Sequence, residues 1–268
     1  MSTFLHFLQK NPWIHFLVLL TYCLAVILPH ETVGAFLMGF LDKMPRSEMT
    51  RIVLSVGLVL VGVLSIPFWV QWTKHPSRNQ VILFLILAVA LVVLTFKYLF
   101  VLATEVAHFP QYALMAILLF PLTWRMDATM IWATLIGVID EAYQYYYLTP
   151  DSTNYYDFND VFTDLLGAIL GLIFLWGLLR NEIKAPRSLF SSPSWMAMGG
   201  FVLLTLALYW FAGDTVASIV RTPEEAFWTV LPRGISFHVL RPIPGLVLIL
   251  LTILVFRQMG KPWNLDEP

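Results

Sequence analysis

Long apolar runs separated by short polar stretches dominate this chain. A helix rising about 1.5 Å per residue needs roughly 20 residues to cross about 30 Å of hydrocarbon, and windows near that length recur. They predict helical spans at about 13 to 29, 52 to 71, 80 to 103, 109 to 124, 129 to 147, 160 to 179, 195 to 212 and 243 to 257. The fourth and eighth are short, and Pro110 and Pro121 bracket the fourth, where proline ends or bends a helix. The first run ends at Pro29-His30-Glu31 without a small-residue cleavage pattern, so it reads as a retained helix. The expected fold is an all-α polytopic membrane protein, a helical bundle of about eight transmembrane helices. Residues 1–268 then form a single transmembrane domain.

Lys and Arg favour the cytoplasmic side of short loops. Placing both termini in the cytoplasm puts Lys10, Lys74, Arg78, Arg125, Arg180, Lys184, Arg187, Arg257 and Lys261 on that side. The loop from Leu148 to Asn159, with Asp151 and Asp157 and no basic residue, falls outside. Trp13, Trp69, Trp72, Trp124, Trp176 and Trp210 lie near predicted span ends, where an amphipathic ring suits the interface.

Composition sharpens this picture. With 59% hydrophobic and 12% charged residues the chain leaves the soluble class. Its 16 basic and 17 acidic residues give no polybasic field, which argues against nucleic acid as a partner. The single cysteine, Cys23, excludes an internal disulfide or thiolate cluster. No phosphate-binding loop, nucleophile elbow, zinc-protease or dinucleotide motif appears.

Ionisable residues inside a span each need a partner, water or a function, because burying one costs about 2.5–3.5 kcal/mol on insertion scales. The outward ends of three spans supply them here: Lys97, Glu105 and His108; then Asp140, Glu141 and Gln144; then Asp157, Asp160 and Asp164. Asp157, Asp160, Asp164, Gly167 and Gly171 fall on one helical stripe, and a Gly-x-x-x-Gly face would press the acids above it against a partner helix. Such a set suits a divalent cation held by carboxylates, or a carboxyl acid paired with a base. Lys97 also reads as a snorkelling lysine, Asp157 as a helix cap, and the glycines as packing alone. His6, His15, His30, His75 and His238 lack a partner pattern, and the cytoplasmic half shows no polar cluster to complete a path through the bilayer.

The stretches Glu105-Val106-Ala107-His108-Phe109-Pro110-Gln111-Tyr112, Glu141-Ala142-Tyr143-Gln144 and Asp160-Val161-Phe162-Thr163-Asp164-Leu165-Leu166-Gly167 resemble VanZ-like membrane proteins, over a core of about residues 97 to 180. His108, Phe109, Tyr112, Glu141, Gln144, Asp160, Gly167 and Gly171 match the positions of that pattern, whereas Asp164 stands where it usually has Asn. The resemblance implies a role in the bacterial cell envelope, in the inner membrane, through the family's association with resistance to the glycopeptide teicoplanin. It implies no reaction.

The reading that results is an outward-facing site that binds or acts on a membrane lipid or a lipid-linked or envelope glycan. Glu141 and Asp160 would be the acid/base or metal-ligand pair, joined by Asp164 and His108. Gln144, Lys97, Glu105, Tyr112 and Asp157 would lie along the substrate. The alternatives are a proton- or cation-coupled transporter or flippase, and a structural scaffold.

Overall fold

The computed structural model describes residues 2–27, 75–99, 103–144, 156–179 and 242–260, two short strands and some isolated positions. The spans expected at 52 to 71 and 195 to 212 lie outside these residues, scattered positions apart. The described elements are α1 (Ser2–Lys10), α2 (Pro12–Ile27), α3 (Arg78–Tyr98), α4 (His108–Thr123), α5 (Met126–Tyr143), α6 (Phe158–Leu178) and α7 (Pro242–Phe256). A 3-10 turn, Ala103–Ala107, leads into α4. Strands β1 (Trp228–Val230) and β2 (Ser236–His238) pair antiparallel, with Trp228 opposite His238.

The architecture is helical, and three segments are long and apolar enough to cross a membrane: Arg78–Phe96, Glu105–Thr123 and Phe158–Leu178. Pro12–Val26 and Ile243–Phe256 are shorter apolar helices. Five of the expected runs coincide closely with α2 and α4 to α7, while α3 stops at Tyr98 instead of continuing to residue 103. Pro121 lies inside α4, but only in its last turn, where one lost hydrogen bond does not end the helix early. Helix α1 was not expected, since it is too short for a span. It buries Leu5 and Leu8, three residues apart on one face, and exposes Phe4 and Phe7.

Helix α6 sits at the centre, touching α3, α4, α5 and α7. Its contact with α4 is the most extensive, and the sequence supplies the reason. A Cβ on Gly167 would lie 2.8 Å from the carbonyl oxygen of Phe109, and one on Gly171 would run into the backbone of Ala113. Lacking side chains there, α6 lets the α4 backbone come directly against it, the approach that the Gly-x-x-x-Gly spacing predicts. Leu165, Leu166, Ile169 and Leu172 pack fully buried around this contact.

Helices α4 and α5 are joined by Trp124 and Arg125 alone. Trp124 adopts a left-handed backbone (φ 54°) and donates its N–H to Phe120 O at 2.8 Å. That conformation costs a side-chain-bearing residue about 1–2 kcal/mol, offset here by burying the indole against His6, ring centroids 4.5 Å apart. Trp124 and Trp176, near helix ends as expected, are buried packing residues, while Trp13 is exposed. His15 and His75 are also buried. His15 Nε2 donates to Leu118 O at 2.7 Å, tying α2 to α4, and His75 meets Trp176 edge-on.

Tyr22 of α2 reaches Gln111 O at 2.7 Å, Asn159 of α6 reaches Leu99 O, and Gly245 of α7 abuts Phe158. The starts of α4, α6 and α7 thus gather at one end with the ends of α2, α3 and α5. Outward faces of α2 (Leu17, Leu20, Leu24), α3 (Ile86, Val93, Leu94) and α7 (Val247, Leu251, Val255) remain apolar and exposed.

Candidate functional site

The gathered end holds most of the polar residues singled out above. Asp157 is the N-cap of α6, its Oδ1 accepting from Asn159 N at 2.8 Å and Asp160 N at 3.4 Å, so it is held as a helix cap. One and two turns further along, Asp160 and Asp164 face the first turn of α4. His108 Nδ1 lies 2.8 Å from Asp164 Oδ1, and its Nε2 lies 3.7 Å from Asp160 Oδ2. The Asp164 side chain is fully buried, whereas that of Asp160 is 17% exposed. The imidazole therefore has one nitrogen anchored in the interior and the other turned toward the more accessible acid.

Helix α5 runs antiparallel to both and brings its last turn to the same place. Tyr112, one turn below His108, donates its hydroxyl to Asp140 Oδ2 at 3.3 Å. Glu141 is buried and accepts from Gln144 Nε2 at 2.9 Å. It also feels the charges of Asp160, Asp157, Asp164 and Asp140. Glu105 lies half-buried in the 3-10 turn that precedes His108. Lys97 falls in the last turn of α3, and its side chain lies outside the described residues.

Of the residues expected at the site, His108, Tyr112, Glu141, Gln144, Asp157, Asp160 and Asp164 are thus brought together from three helices. Among the described residues no group of three or more His, Cys, Asp or Glu side chains is arranged to hold a metal ion. What the arrangement can do is move a proton. Asp164 accepts from His108 Nδ1 and leaves Nε2 facing Asp160, the geometry by which a buried carboxylate orients an imidazole.

Several contributors carry no sequence signal that would have found them. Asn159 is buried, donating to Leu99 O at 3.2 Å and accepting from Leu240 N at 3.0 Å. It stitches the end of α3 and the approach to α7 onto the start of α6, beside Asp160. The opposite end also differs from expectation. Arg125 Nη2 lies 2.7 Å from Asp127 Oδ2, with Arg257 Nε 4.0 Å from the same oxygen, so an ion cluster does occupy the opposite end. The reason is tertiary: Arg125 and Arg257 read as loop charges, but the tight α4–α5 turn and the end of α7 fold them onto a buried aspartate.

Between the two ends, among the described residues, apolar side chains fill the interior. Leu119, Met130, Ala133, Ile169 and Leu172 are buried there, and the Thr134 hydroxyl is spent on Met130 O at 2.8 Å. Asp127 and Asp140 stand about 20 Å apart along α5 at 1.5 Å per residue.

The chain matches no family profile, no curated protein and no solved structure.

Proposed function

We propose that this protein is a multi-pass membrane protein, with the His108 end facing outward, that binds and acts on the polar part of a lipid-linked or envelope glycan substrate. The observation that carries this reading is the buried imidazole of His108, oriented by Asp164 and opening toward the partly exposed Asp160. In the proposed chemistry His108 Nε2 accepts the proton of a substrate hydroxyl and passes it to the Asp160 carboxylate 3.7 Å away, leaving the imidazole as it began. Tyr112 and Gln144 hold the carboxylates in place through their hydrogen bonds.

Membrane embedding is supported by the three long apolar helices and by the exposed apolar faces of α2, α3 and α7. An envelope setting in a bacterial inner membrane is supported by the likeness of residues 97 to 180 to VanZ-like proteins. A transporter reading gains a polar cluster at the second end. Among the described residues a buried apolar layer separates the two clusters, which favours the one-sided reading.

The test is to purify the wild-type, His108→Gln and Asp160→Asn proteins in mild detergent and identify the retained lipids by mass spectrometry. Loss of a hydrogen bond to a charged group is worth about 1.5–3 kcal/mol, roughly tenfold or more in affinity. A glycan-bearing lipid enriched on the wild type should fall by about that factor in both variants. The same lipids at the same levels in all three proteins would overturn the proposal.

A further inference from the structure

Gly137 lies in the middle of an apolar stretch of α5 and touches no substrate-facing group, yet its missing side chain bears on the site. A Cβ built there would stand 2.6 Å from Asp164 Oδ2, 3.2 Å from Asp164 Cβ and 3.3 Å from its Cγ. Real Cβ atoms do not approach an oxygen that closely, so Asp164 would have to move. The Asp164 side chain has no exposed surface and is enclosed by the α4–α6 contact. On the α4 side, Gly167 and Gly171 already bring backbone against backbone. A shift of the carboxylate away from that Cβ also displaces its Oδ1, the atom 2.8 Å from His108 Nδ1.

We propose that Gly137 is a positioning residue of the site: the notch it leaves in α5 seats the Asp164 carboxylate so that Oδ1 meets His108 Nδ1 and holds the imidazole in one tautomer. The inference rests on the reading of His108 as the proton-handling group. It adds a third helix to the pair that sets that group's orientation. The Asp164–His108 bond is made by α6 and α4, but its geometry is set by α5. A substitution distant from any substrate would then change which ring nitrogen is basic, because neutral imidazole keeps its proton on whichever nitrogen has the better acceptor.

The experiment combines Gly137→Ala with Asp164→Ala and reads two quantities. Alanine ordinarily stabilises a helix relative to glycine, so the sign of the change in Tm is informative. Gly137→Ala should lower Tm when Asp164 is present. In the Asp164→Ala background it should raise Tm or leave it unchanged, since the added methyl then meets space left by the carboxylate. On 15N-histidine-labelled protein, with the His108→Gln spectrum identifying the resonances among the six histidines, Gly137→Ala should turn a single Nδ1–H tautomer into a mixture.

An unchanged His108 spectrum in Gly137→Ala would overturn the inference, as would an equal Tm loss in both backgrounds. If Gly137→Ala does not fold, Asp164→Ala with and without it decides on Tm alone: a double variant as stable as Asp164→Ala supports the notch, and a double variant that is further destabilised overturns it. Lipid retention measured on the same Gly137→Ala sample separates the two proposals. A tautomer change with full retention keeps Gly137 as a positioning residue and sinks the functional reading.

Discussion

Asp160 and Asp164 stand one helical turn apart on α6, yet their surroundings assign them different work. Asp164 is enclosed and committed to His108, so replacing it with leucine leaves an imidazole buried without its acceptor. Leaving a buried donor unsatisfied costs about 1–3 kcal/mol, and that loss is expected for Asp164→Leu in denaturant unfolding in micelles. Asp160 retains some solvent and a 3.7 Å contact. Asp160→Asn should cost less than about 1 kcal/mol, as partly exposed pairs do, while removing lipid retention. Comparable losses in the two variants would mean that the whole pair is structural. Asn159 belongs with Asp164: its leucine variant strands Leu99 O and Leu240 N, each worth about 1–3 kcal/mol if left unpaired.

At the scale of elements, the stability of the site is the stability of the α4–α6 contact. A methyl on Gly171 runs into the Ala113 backbone, which cannot give way without moving α4, whereas one on Gly245 meets only the Phe158 side chain, at 2.9 Å from its Cβ, a smaller overlap. Thermal unfolding should therefore rank Gly171→Ala well below Gly245→Ala. Equal effects would mean that α4 slides easily on α6. These elements were legible in the sequence for a physical reason: length and apolarity alone specify a buried or membrane-crossing helix, and Gly167 and Gly171 at four-residue spacing mark a face made for close approach. The acids of α6 and α5 and His108 were legible as a group because each is costly in an apolar run. Gly137, Asn159 and the Arg125–Asp127–Arg257 cluster were not, because their meaning lies in what another helix places against them. Helix α1 escaped notice because nine residues, Ser2–Lys10, are too few to leave a span-length signature.

For the whole molecule, the gathering of the ends of α2, α3 and α5 with the starts of α4, α6 and α7 makes orientation a single testable fact. In a Cys23→Ser background, a cysteine at exposed Ala107 should react with a membrane-impermeant maleimide on intact cells. One at Gln258, beyond the far end of α7, should react only after permeabilisation. The reverse pattern would put the His108 end in the cytoplasm and remove the outward-facing site. The buried layer around Met130, Ile169 and Leu172 acquires a further meaning in an energised bilayer. Such a layer is a dielectric, and the voltage falls across it at about 2.3 kcal/mol per elementary charge per 100 mV. On the proposed function, protons traded between His108 and its carboxylates stay on one side of that layer, so acid–base chemistry at this end would leave the gradient across the bilayer undrained.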